Sequence, residues 1–166
     1  LEEQEVAIKS KFSSGWLINI RNKPKNYWVI DKLSSARRSA NMGKIQSKDT
    51  CPEMIVRKLV HSLGYRYRLH RKDLSGKPDL VFSSRKKIIF VHGCFWHQHA
   101  NPICKIARIP KSKTHYWIPK LQRNVERDSQ HQKLLEAEGW EILIIWECEV
   151  RNMDELEKAI TKFLSG

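Results

Sequence analysis

Between Lys77 and Cys104 the chain gathers one acid, three histidines, two cysteines and two adjacent aromatic residues. The segment reads Lys77-Pro78-Asp79-Leu80-Val81-Phe82, a short polar turn, then Ile89-Phe90-Val91-His92-Gly93-Cys94-Phe95-Trp96-His97-Gln98-His99, ending at Cys104. Groups that bind metals or move protons are crowded here beyond what packing requires, and two kinds of chemistry follow. Cys94, His99, Cys104 and the distant Cys148 form a C-x4-H-x4-C pattern completed by a Cys that follows an apolar run. Three thiolates and one imidazole make a closed tetrahedral zinc set; because the spacing is not a standard finger, buried free thiols are the competing reading.

The second chemistry needs oxygen ligands and a base. Asp79 stands at the start of one predicted strand and Val91 near the end of the next, so an antiparallel hairpin brings the carboxylate beside the second strand's backbone. Such a corner suits a hard cation such as Mg2+, although Pro-Asp alone also starts ordinary turns. His97 is able to accept a proton from water near neutral pH, and Asp128 to orient that imidazole or hold its charged form. His92 reads as a structural or supporting histidine. Glu53 is ambiguous, since Thr50-x-x-Glu53 is also a capping box in which the acid satisfies a helix-terminal N–H. A metal, a base and a basic surface together point to phosphodiester hydrolysis.

The basic surface is a property of the whole chain. Lys and Arg number 31 against 18 acids in 166 residues, a net charge of +13, with an isoelectric point near 9.8. Nucleic acid is the leading polyanionic partner, and an anionic membrane surface the lesser one. Residues 105–127 carry seven Lys or Arg against one acid, with Tyr116 and Trp117 among them. The cations suit phosphates, and exposed aromatics suit insertion between bases. Tyr116 reads as a core residue, whereas neighbouring Phe95 and Trp96 cannot both point inward from a regular strand. No apolar run approaches the ~20 residues of a membrane span. The acidic Leu1-Glu2-Glu3-Gln4-Glu5 is unlike a signal peptide, so a soluble, intracellular protein with reduced cysteines is expected.

Elements able to position these groups are visible in the periodicity. Residues 1–35 lack sustained periodicity and read as an arm, and Ser34 to Ile45 is a short basic segment. Thr50-Cys51-Pro52-Glu53 opens a helix through Val56, Leu59, Val60 and Leu63 that Gly64 stops. Alternating Tyr65, Tyr67 and Leu69 predict one strand, Asp79–Phe82 a second, Lys87–His92 a third and Ile142–Trp146 a buried fourth. Thr114–Glu138 predicts a long helix with Pro119 near its first turn, and Asn152-x-x-Glu155 caps a last one. A single α/β domain results, a mixed sheet flanked by helices.

Ser39-Ala40-Asn41-Met42, Lys48-Asp49-Thr50, Pro78-Asp79, Phe90-Val91-His92-Gly93-Cys94-Phe95-Trp96-His97, Asn124-Val125-Glu126-Arg127-Asp128 and Trp146-Glu147-Cys148 together resemble the very-short-patch repair (Vsr) endonucleases. These are strand-specific nickases acting at T:G mismatches left by deamination of 5-methylcytosine. The resemblance runs from about Ser35 onward, dividing the chain into an arm, 1–35, and a Vsr-like endonuclease domain, 36–166. It implies a restriction-endonuclease-like core with structural zinc on Cys94, His99, Cys104 and Cys148. It also implies catalytic magnesium on Asp79 and the Val91 carbonyl, His97 activating water, Asp128 supporting it, and Glu53 acting through water on the metal. Phe95, Trp96 and Trp117 match aromatics that wedge beside the mismatch from the major groove. Met42 lies in the segment that enters the minor groove, and Lys120 and Asn124 match readers of the mismatched bases. A bacterial, cytoplasmic, nucleoid-associated monomer acting on double-stranded DNA, with mismatch-repair proteins as further partners, is the corresponding expectation. Val91 stands where the family usually has Thr, and the His99 to Cys104 spacing is longer than usual. The alternatives are a restriction-like enzyme cutting both strands and a noncatalytic zinc-stabilised DNA-binding module.

Overall fold

The computed structural model describes Arg37 and residues 48–166; the arm and the rest of the basic segment to Ile45, Met42 included, lie outside the described residues. Helix α1 (Cys51–Ser62) is followed by strands β1 (Arg68–Leu69), β2 (Leu80–Phe82) and β3 (Lys87–His92), helix α2 (Thr114–Ala137), strand β4 (Glu141–Trp146) and helix α3 (Met153–Ser165). The strands form one mixed sheet in the order β1-β2-β3-β4, antiparallel from β1 to β3 and parallel between β3 and β4. The α2 crossover makes that parallel pairing possible.

Strand alternation divides the core in two. Leu80, Phe82 and Ile89 face one side of the sheet and pack with Val56, Leu59 and Val60 of α1 and Leu156, Ile160 and Leu164 of α3. Val81, Ile88 and Phe90 face the other side and pack with Leu135 of α2, Leu74 and Trp140. The central strands, covered on both faces, are therefore apolar almost throughout. Lys87 and His92, at the two ends of β3, are the exceptions at 5% and 6% exposed; the Lys87 ammonium reaches the Phe163 carbonyl at 2.7 Å, burying the stem and satisfying the head.

Thr50 caps α1 by accepting from the Glu53 amide at 3.4 Å, and Asn152 caps α3 through Glu155 at 3.3 Å. Gly64, at φ +86°, closes α1 as its spacing predicts. Three details differ from the sequence expectations. The first strand is only Arg68–Leu69, since the Tyr65 amide turns back to the Val60 carbonyl at the end of α1; the Tyr67 hydroxyl donates to the Arg57 carbonyl. Strand β4 is not buried throughout: only Ile145 is, as befits an edge strand. Pro119, near the first turn as expected, sits inside α2. Tyr116 is 49% exposed rather than core, since Leu121 and Leu135 are the residues of α2 that are buried.

Candidate active site and metal centre

Asp79 directly precedes β2 and Val91 lies on β3, with Leu80 opposite Ile89 in the antiparallel ladder. The predicted juxtaposition follows: the Val91 amide donates to Asp79 Oδ2 at 2.8 Å. Burial pushes the Asp79 pKa up to about 6; the Val91 hydrogen bond lowers it, the nearby Glu53 charge raises it, and His70 and Arg57 lower it. A carboxylate held this way, with another acid at hand, is an anion in want of a cation.

Beyond β3 the chain turns tightly. The His97 amide returns to the Gly93 carbonyl at 3.1 Å and the His99 amide to the Cys94 carbonyl at 3.0 Å. Phe95 and Trp96 lie in this turn and not in a strand, and both are half-buried, so strand alternation does not decide where they point. His97 Nδ1 lies 2.5 Å from Asp128 Oδ2 across on α2. Burial alone would raise the Asp128 pKa, but its hydrogen bond with His97 and the charges of His97 and Arg127 outweigh burial and hold it below the usual carboxylate range. Buried His92 stacks on His97 with ring centroids 4.0 Å apart, and burial, with His97 second, pushes its pKa down to about 3. A neutral ring therefore supports the candidate base from behind.

Asp79, Val91, His97 and Asp128 line one cleft of about 370 Å³. Lys48, Lys77 and Arg127, which sequence reasoning did not single out, line it too and bring positive charge to the rim. Glu53 is not among the lining residues. It is 3% exposed, and its carboxylate is taken by Arg57 and lies 3.3 Å from His70 Nε2. Thr50 thus supplies its half of the capping box while the side chain of Glu53 turns to Arg57 and His70. Neither of those partners was anticipated, although the Glu53–Arg57 spacing of i,i+4 was legible.

The sulfur-rich group also assembles. One ligand atom from each of Cys94, His99, Cys104 and Cys148 lies within 4.8 Å of the others, so the four could hold a metal ion. His99 Nδ1 is 3.8 Å from Cys94 Sγ and 3.3 Å from Cys148 Sγ, and its ring stacks on Trp146 at 4.3 Å. Glu147, not foreseen, accepts from the Cys94 amide at 3.2 Å.

Next to His97 the aromatics form a cluster. Phe95 packs edge-on against Trp96 and Trp117 at 5.0 and 5.3 Å. The Lys120 ammonium lies over Trp96 and Trp117 at 5.5 and 5.8 Å, and the Asn124 amide donates to the Trp96 carbonyl at 3.1 Å. Every candidate site residue except Met42 is therefore placed, and all but Glu53 line the cleft, the sulfur site or this aromatic face.

Comparison with known proteins identifies the family. The family described as DNA mismatch endonuclease Vsr matches residues 30–102. The chain is 48% identical to the Type II nicking enzyme V.XorIIP of Xanthomonas oryzae pv. oryzae, over 82% of this chain and 98% of that protein. It is 43% identical to the Type II nicking enzyme V.NmeAIP of Neisseria meningitidis, over 75% of this chain and 86% of the relative. With the DNA mismatch endonuclease Vsr of Escherichia coli it shares 37% identity, over 82% of this chain and 86% of that one. The chain belongs to the Vsr endonuclease family.

Proposed function

We propose that the protein nicks one strand of duplex DNA beside the T of a T:G mismatch by Mg2+-dependent hydrolysis, leaving 5′-phosphate and 3′-hydroxyl ends. The observation that carries this reading is the opening of Asp79, Val91, His97 and Asp128 onto a single cleft. Asp128 engages Nδ1 of His97, so Nε2 is the nitrogen free to take the proton of the attacking water, and the carboxylate then balances the imidazolium. His92 stacks beneath the ring and keeps it from tilting.

Asp79 and the Val91 carbonyl would hold magnesium, with Glu53 in support; a buried carboxylate open to a cleft is the hard oxygen donor this ion takes. When bound, magnesium polarises the phosphodiester and offsets charge on the leaving oxygen. A main-chain ligand makes Val91 compatible with this role where the family usually has Thr. Zinc fits the sulfur-rich group: bonds of about 2.3 Å to sulfur and 2.0 Å to nitrogen at tetrahedral angles separate such ligand atoms by about 3.5 Å. The Cys94–His99 and Cys148–His99 distances of 3.8 and 3.3 Å bracket that value.

Phe95, Trp96 and Trp117 would wedge beside the mismatch, Lys120 and Asn124 read its bases, and Met42 lie towards the minor groove. Insertion favours a weakened pair, because unstacking it costs less. The mixed sheet is read as a restriction-endonuclease-like core within residues 36–166, with 1–35 an added arm. A monomer acting on DNA in the bacterial cytoplasm and nucleoid, beside mismatch-repair proteins, completes the reading.

Strand-resolved cleavage of end-labelled T:G, T:A and C:G duplexes, with Mg2+ or with EDTA, tests it. The expected result is a Mg2+-dependent nick confined to the T strand of T:G. Cutting of both strands in matched DNA would replace this reading with a restriction enzyme, and tight binding without cutting with a noncatalytic module. In the same assay His97→Ala slows nicking by about 10²–10⁴-fold at unchanged duplex affinity. Trp117→Ala removes about 1–3 kcal/mol of T:G binding while matched duplex binding changes little, measured by fluorescence anisotropy.

A further inference from the structure

On the α1 side of Asp79 lies a polar cluster of which the mechanism above uses only Glu53. Arg57 is 7% exposed and Glu53 3%. One terminal nitrogen of Arg57, Nη2, reaches both the Glu53 carboxylate and His70 Nε2, the latter at 2.8 Å. The other, Nη1, lies 2.6 Å from Asp49 Oδ1. Asp49, Glu53 and His70 are near enough to one another to hold a cation, but the guanidinium already lies against all three. The cluster is closed around an internal positive charge.

A guanidinium only donates hydrogen bonds, so the 2.8 Å contact assigns His70 Nε2 as the acceptor and the ring proton to Nδ1; Glu53 Oε1, 3.3 Å from the same nitrogen, already accepts from Arg57. A proton on Nε2 would set two N–H groups against each other at 2.8 Å. Nδ1 is the atom that faces Asp79 Oδ1, at 4.0 Å. The backbone delivers it there: Leu69 pairs with Leu80, placing His70 just after one strand beside Asp79 just before the other. His70 also adopts the left-handed region at φ 44°, a conformation uncommon outside Gly and tolerated best by Asn, Asp and His.

We propose that Arg57 and His70 are a positioning pair, in which Arg57 fixes the His70 ring between Glu53 and Asp79 and the ring sets the two carboxylates relative to each other. Asp79 is then bounded on both oxygens, Oδ2 by the Val91 amide and Oδ1 by the imidazole edge. The inference rests on the metal corner assigned under the proposed function, and it gives α1 a part in that corner.

The test uses the full zinc-loaded chain as wild type, Arg57→Met, His70→Ala and His70→Asn, each first matched for fold by circular dichroism. Asn tolerates the left-handed backbone and puts an amide nitrogen near the place of Nδ1. Ring 1H–15N correlation spectra of the wild type should show His70 protonated on Nδ1 alone, a preference lost in Arg57→Met. Mn2+ affinity, followed by electron paramagnetic resonance, should weaken about tenfold in His70→Ala and recover in His70→Asn. The kcat for nicking should fall about 10- to 100-fold in His70→Ala at unchanged duplex affinity, and again recover in His70→Asn. Proton occupancy on Nε2, Mn2+ affinity unchanged in His70→Ala, or a folded His70→Asn no better than His70→Ala would each overturn the proposal. If wild type nicks no T:G duplex, the functional reading fails while the Mn2+ affinities and ring spectra still decide this one.

Discussion

Asp79→Ala removes nicking and leaves DNA binding in place. The carboxylate touches the Val91 backbone and faces His70, and among the described residues its contacts are with protein groups. If Asp79 holds magnesium as proposed, losing the ion would forfeit several kcal/mol of transition-state stabilisation, on the order of a thousandfold or more in rate. Stability responds differently. The variant leaves the Val91 amide without its acceptor, which costs about 1–3 kcal/mol, but it also relieves burial of an acid whose pKa burial has pushed up to about 6. These effects oppose, so the melting temperature should stay within roughly 5 °C of wild type. Single-turnover nicking, duplex affinity and calorimetry together check the prediction; parallel loss of affinity and rate would place Asp79 in the DNA interface instead.

Cys148→Ala should do the reverse, damaging the fold before the chemistry. Cys94 follows β3 and Cys148 follows β4, so a metal on the sulfur-rich group pins the ends of two parallel strands. Structural zinc contributes on the order of 10 kcal/mol in small domains. At about 2–4 °C per kcal/mol for a domain of this size, even partial loss lowers the melting temperature by more than about 10 °C. Metal analysis should show zinc lost in parallel, and a chelator should reproduce the shift in wild type. Cys51→Ala, at an exposed free cysteine, is the control expected to change neither quantity. Retained zinc and an unshifted melting curve in Cys148→Ala would remove that residue from the site.

Local signals carried most of the architecture. The Thr50 and Asn152 caps, the Gly64 stop and the apolar run of β3 are short-range features, and their elements lie within a residue or two of where the sequence places them. Strand β1 is shorter than the alternation of Tyr65, Tyr67 and Leu69 predicts, since the Tyr65 backbone closes the end of α1 instead. The site was legible where a reactive side chain stood in a recognisable motif, as with Asp79, His97, Asp128 and the four sulfur-site residues. Arg57 and His70 were not, because a basic residue in a basic chain carries no mark of burial until the fold closes over it. The cleft cations Lys48, Lys77 and Arg127 were hidden for the same reason, being three among 31.

The division of the core also governs when the protein is able to fold. Val56, Leu59 and Val60 of α1 share one buried cluster with Leu156, Ile160 and Leu164 of α3, and β3 pairs with β4 only after the chain has passed through α2. Pairings so distant in sequence cost loop-closure entropy before they give any return, which slows folding. On the ribosome the β2–β3 hairpin is free to form early, whereas the apolar faces of α1 and the sheet stay exposed until residues 156–164 emerge. During that interval the thiols of Cys94 and Cys104 wait for Cys148, the third that completes their set.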